Sequence, residues 1–167
     1  AYTYSMDGKS YAMGFYGKTK KPVFHYRFHG WEQMQAYIDR FFAERKEHFV
    51  RKAEAKAKRL SASQEMANKT IVGDIFYSSW GYDQTNIDFY QVVGKKGKMS
   101  FLVQKIGSKI IDNTDYGVDY VVPNPGHTKG EPMLKRMTEY GFSLNSYSSA
   151  NPWDGTPKSE TSFGWGH

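Results

Sequence analysis

The stretch from Gly73 to Ile106 constrains the fold more than any other part of this chain. It reads as three short β-strands in succession, at 74–80, 87–93 and 99–106. The polar loop Gly81-Tyr-Asp-Gln-Thr-Asn86 joins the first pair, and the lysine-rich turn Gly94-Lys-Lys-Gly-Lys98 joins the second. Connections this short link antiparallel neighbours, since parallel ones need a crossover of a dozen or more residues. In the third strand Phe101 and Val103 face opposite to Leu102, as period-two geometry requires. Two later strands are expected at 119–122 and 133–140, with Pro123-Asn-Pro-Gly-His-Thr-Lys-Gly-Glu-Pro132 between them. The prolines and glycines of that connection forbid regular structure. Five short strands that reverse direction each time predict a small SH3-like antiparallel β-barrel.

Upstream, 10–16 and 22–28 read as strands around the turn Gly17-Lys-Thr-Lys-Lys21. Val23, His25 and Arg27 alternate with Phe24, Tyr26 and Phe28, which sets the latter three inward in an N-terminal β-hairpin. A helix is expected over 31–60, because Trp31, Met34, Ile38, Phe41 and Phe42 recur at three- and four-residue steps. Past Glu44 the same angular face becomes basic, with Arg45, His48, Lys52, Lys56 and Arg59, while Phe49, Ala53, Ala57 and Leu60 have rotated by about a quarter turn. The second half therefore either projects or bends near His48. Ser61-Ala-Ser-Gln-Glu-Met-Ala-Asn-Lys-Thr70 reads as a linker. The fold class is thus α+β: an SH3-like barrel, an N-terminal hairpin and one long basic helix. Its expected organisation is hairpin plus helix over 1–62, barrel-like region over 63–142 and a surface-running tail over 143–167.

Composition bears on partners. The 167 residues include no cysteine, so disulfides, thiolate metal sites and cysteine nucleophiles are excluded. No apolar run approaches the ~18 residues of a membrane span. Ala1-Tyr-Thr-Tyr-Ser-Met-Asp lacks the charged and apolar regions of a secretory signal, so a cytoplasmic setting is expected. A net charge of +6 and a 17% aromatic content favour polyanionic partners with flat faces, nucleic acid first among them.

The candidate binding residues follow from this chemistry. Lys95, Lys96 and Lys98 sit on the hairpin; Lys105 and Lys109 continue the run with no acid between Lys95 and Lys109. The spacing is not that of a P-loop. Arg45, Lys52, Lys56 and Arg59 form the helical stripe, which is either a solvated face or a phosphate-contacting one. In the polar loop, Gln84 and Asn86 each pair a donor with an acceptor, the chemistry that reads an adenine edge. Trp80, Tyr82 and Tyr90 offer stacking faces there, although Trp80 and Tyr90 equally suit core anchors and Trp80 is expected in the core; Asp83 and Asn86 equally suit a loop that staples itself. His25 and His29 straddle a strand end, and His48, His127 and His167 are isolated, so neither a metal site nor a cofactor is expected. Were the protein an enzyme, Asp83, Asn86 and His25 would be its acid–base candidates; Ser78-Ser79 lacks the glycines of a nucleophile elbow.

Ser78-Ser-Trp-Gly-Tyr-Asp-Gln-Thr-Asn86 followed by Asp88-Phe-Tyr-Gln-Val-Val93 resembles small uncharacterised proteins carried by phages and plasmids. Pro152-Trp-Asp-Gly-Thr-Pro157 and Lys21-Pro-Val-Phe-His-Tyr26 extend that resemblance. It implies a mobile-element setting and no particular chemistry. The expectation is a nucleic-acid-binding accessory protein. The alternatives are an inhibitor of a host defence complex, of anti-CRISPR or anti-restriction type, acting by protein–protein contact, and an enzyme acting on nucleotides or nucleic acid.

Overall fold

The computed structural model describes residues 1–113 and 115–165. In chain order the elements are β1 (Tyr2–Met6), β2 (Lys9–Gly14), β3 (Phe24–Phe28), α1 (Trp31–Lys69), β4 (Ile75–Trp80) and β5 (Asn86–Lys95). There follow β6 (Ser100–Asp112), β7 (Val118–Arg136), β8 (Phe142–Ser143), β9 (Ser149–Pro152) and β10 (Lys158–Thr161). The described residues form an α+β fold with one helix and antiparallel sheets. The chain divides into two units, Ala1–Ala55 and Lys56–His167, with α1 contributing to both.

In the first unit β1, β2 and β3 form a three-stranded sheet in that order. β1 was not anticipated, although Asp7-Gly8 between it and β2 is a hairpin signal: both residues have positive φ, at 50° and 69°, as a two-residue type I′ turn demands. Ala12, Phe24 and Phe28 pack with Met34 and Ile38 of α1, flanked by Tyr37 and Phe41. Tyr26, expected inward, lies on that side but stays half exposed, its ring edge-on to Tyr37 at 5.6 Å. Trp31 and Phe42 of the expected apolar helix face are exposed as well. In the first turn of α1, Gln33 Oε1 accepts the N–H of His29 at 3.0 Å and ties the preceding chain to the helix.

α1 does not break near His48. It is continuous to Lys69, and all residues from 46 to 61 are exposed. The segment expected as a linker is its last turns. Serines suggested a loop, but the Ser63 hydroxyl donates to the Arg59 carbonyl at 2.7 Å, within the helix's own backbone ladder. Met66 and Ala67 then join the core of the second unit.

That unit holds a seven-stranded sheet in the order β10-β7-β6-β5-β4-β9-β8. It is not closed into a barrel. An isolated bridge from Met137 to Phe142 brings the end of β7 to β8, so the sheet curls back on itself through a single residue pair. Phe76, Tyr90, Val92, Phe101, Val103 and Phe142 fill the inside of the curl with Met137, Ala150 and Ala67. Ile87, Phe89, Ile106 and Val121 form a second cluster against Ile75, Tyr77 and Trp153. Strand β5 thereby buries both its faces.

Two expectations fail here for identifiable reasons. The proline-rich connection 123–132 lies inside β7. Its register shifts place residues 125–127 and 130–132 in bulges, which hold Pro125 and Pro132, and Pro123 lies beyond the 118–121 ladder to β10, where no neighbouring strand needs its N–H. The buried Gln104 amide donates to the carbonyls of Lys105, Lys129 and Gly130, each at 3.0 Å, replacing ladder bonds lost at one bulge. The segment expected as a surface tail supplies β9, whose Ala150 is fully buried, and β10, which pairs with β7.

Candidate nucleic-acid interface

The lysine hairpin forms as expected, with Lys96 N–H donating to the Ser100 carbonyl at 2.9 Å across the tip. Its three lysines have different duties. Lys95 Nζ donates to the Ala67 carbonyl of α1 at 3.1 Å and sits 5.1 Å from the Phe101 ring centre. A helix leaves its last four carbonyls unpaired and concentrates negative partial charge there, so a lysine is well placed to satisfy one. Lys95 is therefore a cap, with one of its three ammonium donors committed to the protein. Lys96 and Lys98 are exposed and lack an ion-pair partner among the described residues. Between the hairpin and the last turns of α1 lies an open cleft of about 620 Å³, lined by Gln64, Asn68, Lys95, Gly97, Lys98 and Met99. Gln64 and Asn68, assigned to a linker by sequence, contribute side-chain amides that donate and accept.

The remaining predicted cations divide between the units. Arg45 and Lys52 belong to the first, Lys56 and Arg59 to the second. The Arg45 guanidinium lies 5.1 Å from both the Tyr16 and Phe41 ring centres, a packing role. Arg59, itself exposed, meets the half-buried Glu139 at 3.5 Å. Lys52 and Lys56 are exposed. The run from Lys95 to Lys109 is acid-free in sequence but not in space, because Lys105 pairs with Asp88 of β5 at 2.8 Å.

The loop 81–86 turns at Gly81, whose φ of +129° and closeness to the Gln84 carbonyl leave no room for a side chain. Asn86 Nδ2 donates to the Trp80 carbonyl at 3.4 Å, and Thr85 exchanges hydrogen bonds with Thr161 of β10 at 2.8 and 2.9 Å. Asn86 thus staples the loop, whereas the Asp83 carboxylate has no partner among the described residues. Tyr82 is fully exposed and Gln84 is exposed, so both are free to meet a ligand.

Trp80 is not in the core; it is 50% exposed. Its indole N–H donates to Asp88 Oδ2 at 3.1 Å, which fixes the ring at the rim of a hollow of about 200 Å³. Strand alternation puts Ser78, Trp80, Asp88 and Tyr90 on the same side of β4 and β5. Tyr90, in contrast to Trp80, is buried. Burial, helped by the negative charge of Asp88, pushes its phenol up to about 12. The buried Ser78 hydroxyl lies 3.1 Å from that of Ser148, which is no general base. Within the distinctive sequence motif, Asp88 anchors the Trp80 ring.

The proposed acid–base set is not assembled within either unit: His25 belongs to the first, and Asp83 and Asn86 to the second. His25 Nε2 lies 2.6 Å from the Tyr4 hydroxyl. Among the described residues no three His, Asp or Glu side chains gather as a metal site; His167 lies outside them. No helix among them is long and apolar enough to cross a membrane.

Fold and site together define an α+β protein whose second unit carries a basic cleft at a helix C-terminus. No protein-family model, curated protein or solved structure matches the chain.

Proposed function

We propose that this protein binds nucleic acid through phosphate contacts at the cleft between the β5–β6 hairpin and the end of α1, as an accessory protein of a mobile element acting in the host cytoplasm. The observation that carries the reading is the cleft's chemistry: Lys98 opens onto it, Lys96 adjoins Lys98 at the tip, and Gln64 and Asn68 line the opposite wall. Two lysines without ion-pair partners among the described residues, on a short hairpin, are what a phosphate backbone needs; amides beside them fix its register. Lys56 adds charge on the helix, and Tyr82 an exposed ring for stacking. Lys95 leaves the contact set because it caps α1.

The barrel reading of the second unit belongs to this proposal too. The Met137–Phe142 bridge and the shared core inside the curl support an incomplete barrel of the SH3-like kind, with the hairpin as one of its loops.

Fluorescence anisotropy with a labelled DNA duplex at low salt tests the function. The wild type is expected to bind, and Lys96→Glu/Lys98→Glu to lose most of that affinity while melting at an unchanged temperature. Equal affinity of the two proteins would remove the cleft from the interface.

A further inference from the structure

The outward face of the β1–β2–β3 sheet is not used by the reading above. Register fixes its composition. Ala12, Phe24 and Phe28 point toward α1, so alternate residues point away, and the ladder sets Tyr4 opposite Tyr11, Tyr11 opposite Arg27, and Met6 opposite Lys9. The solvated face of a one-sided antiparallel sheet is ordinarily polar. This one carries rings. Tyr2 is 69% exposed and meets Phe15 edge-on at 5.7 Å. Tyr4 and Tyr11 stack at 5.1 Å with their planes 6° apart, and the Tyr4 hydroxyl reaches His25. Lys9 and Arg27 supply donors and charge, and no acidic residue occurs in any of the three strands. An array of rings edged by Lys9 and Arg27, with Asp7 in the β1–β2 turn as the neighbouring acid, complements a polyanion whose flat apolar faces are accessible. Single-stranded nucleic acid has both properties, whereas a duplex hides its base faces.

We infer that this sheet face is a base-stacking platform for single-stranded nucleic acid, with Tyr2 and the Tyr4–Tyr11 pair taking bases and Lys9 and Arg27 taking phosphates. It shares the ligand class of the proposed function but stands on other residues in the other unit, so the two fail separately.

The test uses the full chain, a labelled oligothymidylate of about 12 nucleotides, within the site sizes known for single-strand binders, and a duplex of the same length. Tyr2→Ala/Tyr4→Ala is expected to weaken single-strand binding by about 10- to 100-fold, as loss of base stacking does, with duplex binding unchanged. Tyr2→Phe/Tyr4→Phe is expected to keep wild-type single-strand affinity, because stacking needs the ring and not the hydroxyl. Should the double alanine variant melt early, Tyr2→Ala alone carries the same comparison, since that ring is largely solvent-facing. Single-strand affinity indifferent to the tyrosines but abolished by Lys96→Glu/Lys98→Glu would overturn the platform and keep the cleft. Affinity lost with the tyrosines and indifferent to those lysines would keep the platform and overturn the cleft. No binding of either oligonucleotide at low salt would overturn both.

Discussion

Asp154, inside the Pro152–Pro157 motif, illustrates how single residues set local structure. Hydrogen bonds from Lys158 Nζ and from the Thr156 hydroxyl and N–H hold its carboxyl well below the ordinary 3.8. A depressed carboxyl contributes stability that is present above its unfolded value and is lost as pH falls. Wild type is therefore expected to melt above Asp154→Asn at neutral pH, with the gap closing as pH drops through and below 3.8. A gap that stayed constant to pH 2 would remove Asp154 from the account. Glu160 acts in the opposite sense. Burial, then Asp119 and Asp88, raises its carboxyl, so its contribution is full below the ordinary 4.5 and fades as pH rises through the folded value; the comparison must be a difference between the two proteins. Gln104 is the second test at this scale. Gln104→Ala removes the buried amide that bridges the bulge carbonyls and is expected to cost about 0.5–1.5 kcal/mol in chemical denaturation. A cost near zero would mean that water replaces the amide.

At the scale of elements, the end of α1 is the sharpest point of difference between sequence and structure. Gln64→Pro removes an intrahelical hydrogen bond and is expected to cost about 3 kcal/mol or more, whereas Gln64→Ala should be nearly neutral in stability. A linker would accept both. Strands β4, β5 and β6 were legible because their period-two pattern is bounded by turn residues. The helix was legible as far as its own apolar spacing went. Its last turns were not, because what holds Met66 and Ala67 is a core built from residues 76–150, far off in the chain. The same limit hid β8, β9 and β10, which are two to four residues long and owe their pairing to partners elsewhere. Prolines 123, 125 and 132 argued against a strand; bulges and an unpaired side admit them. The exposed position of Trp80 depends on Asp88, eight residues on, and Lys95 was read as a free cation because its carbonyl partner lay in the supposed linker. Lys95→Ala is accordingly expected to lower the melting temperature more than Lys96→Ala does, and equal effects would deny the cap.

At the scale of the molecule, the count of 23 Lys and Arg residues overstates the cations available to a ligand. Arg59, Lys69, Lys105 and Lys158 meet carboxylates, Lys95 meets a carbonyl and Arg45 meets rings. Of the predicted binding cations in the second unit, Lys56, Lys96 and Lys98 are left for phosphates. Three phosphate contacts give a slope of about −2.7 for log affinity against log salt on duplex DNA. The measurement that tests the central claim most directly is that slope, determined for the wild type and for Lys96→Glu/Lys98→Glu. The account predicts a slope of about −2 to −3 for the wild type, shallower by about 2 in the variant. A wild-type affinity insensitive to salt, or a slope that the two substitutions leave unchanged, would contradict it.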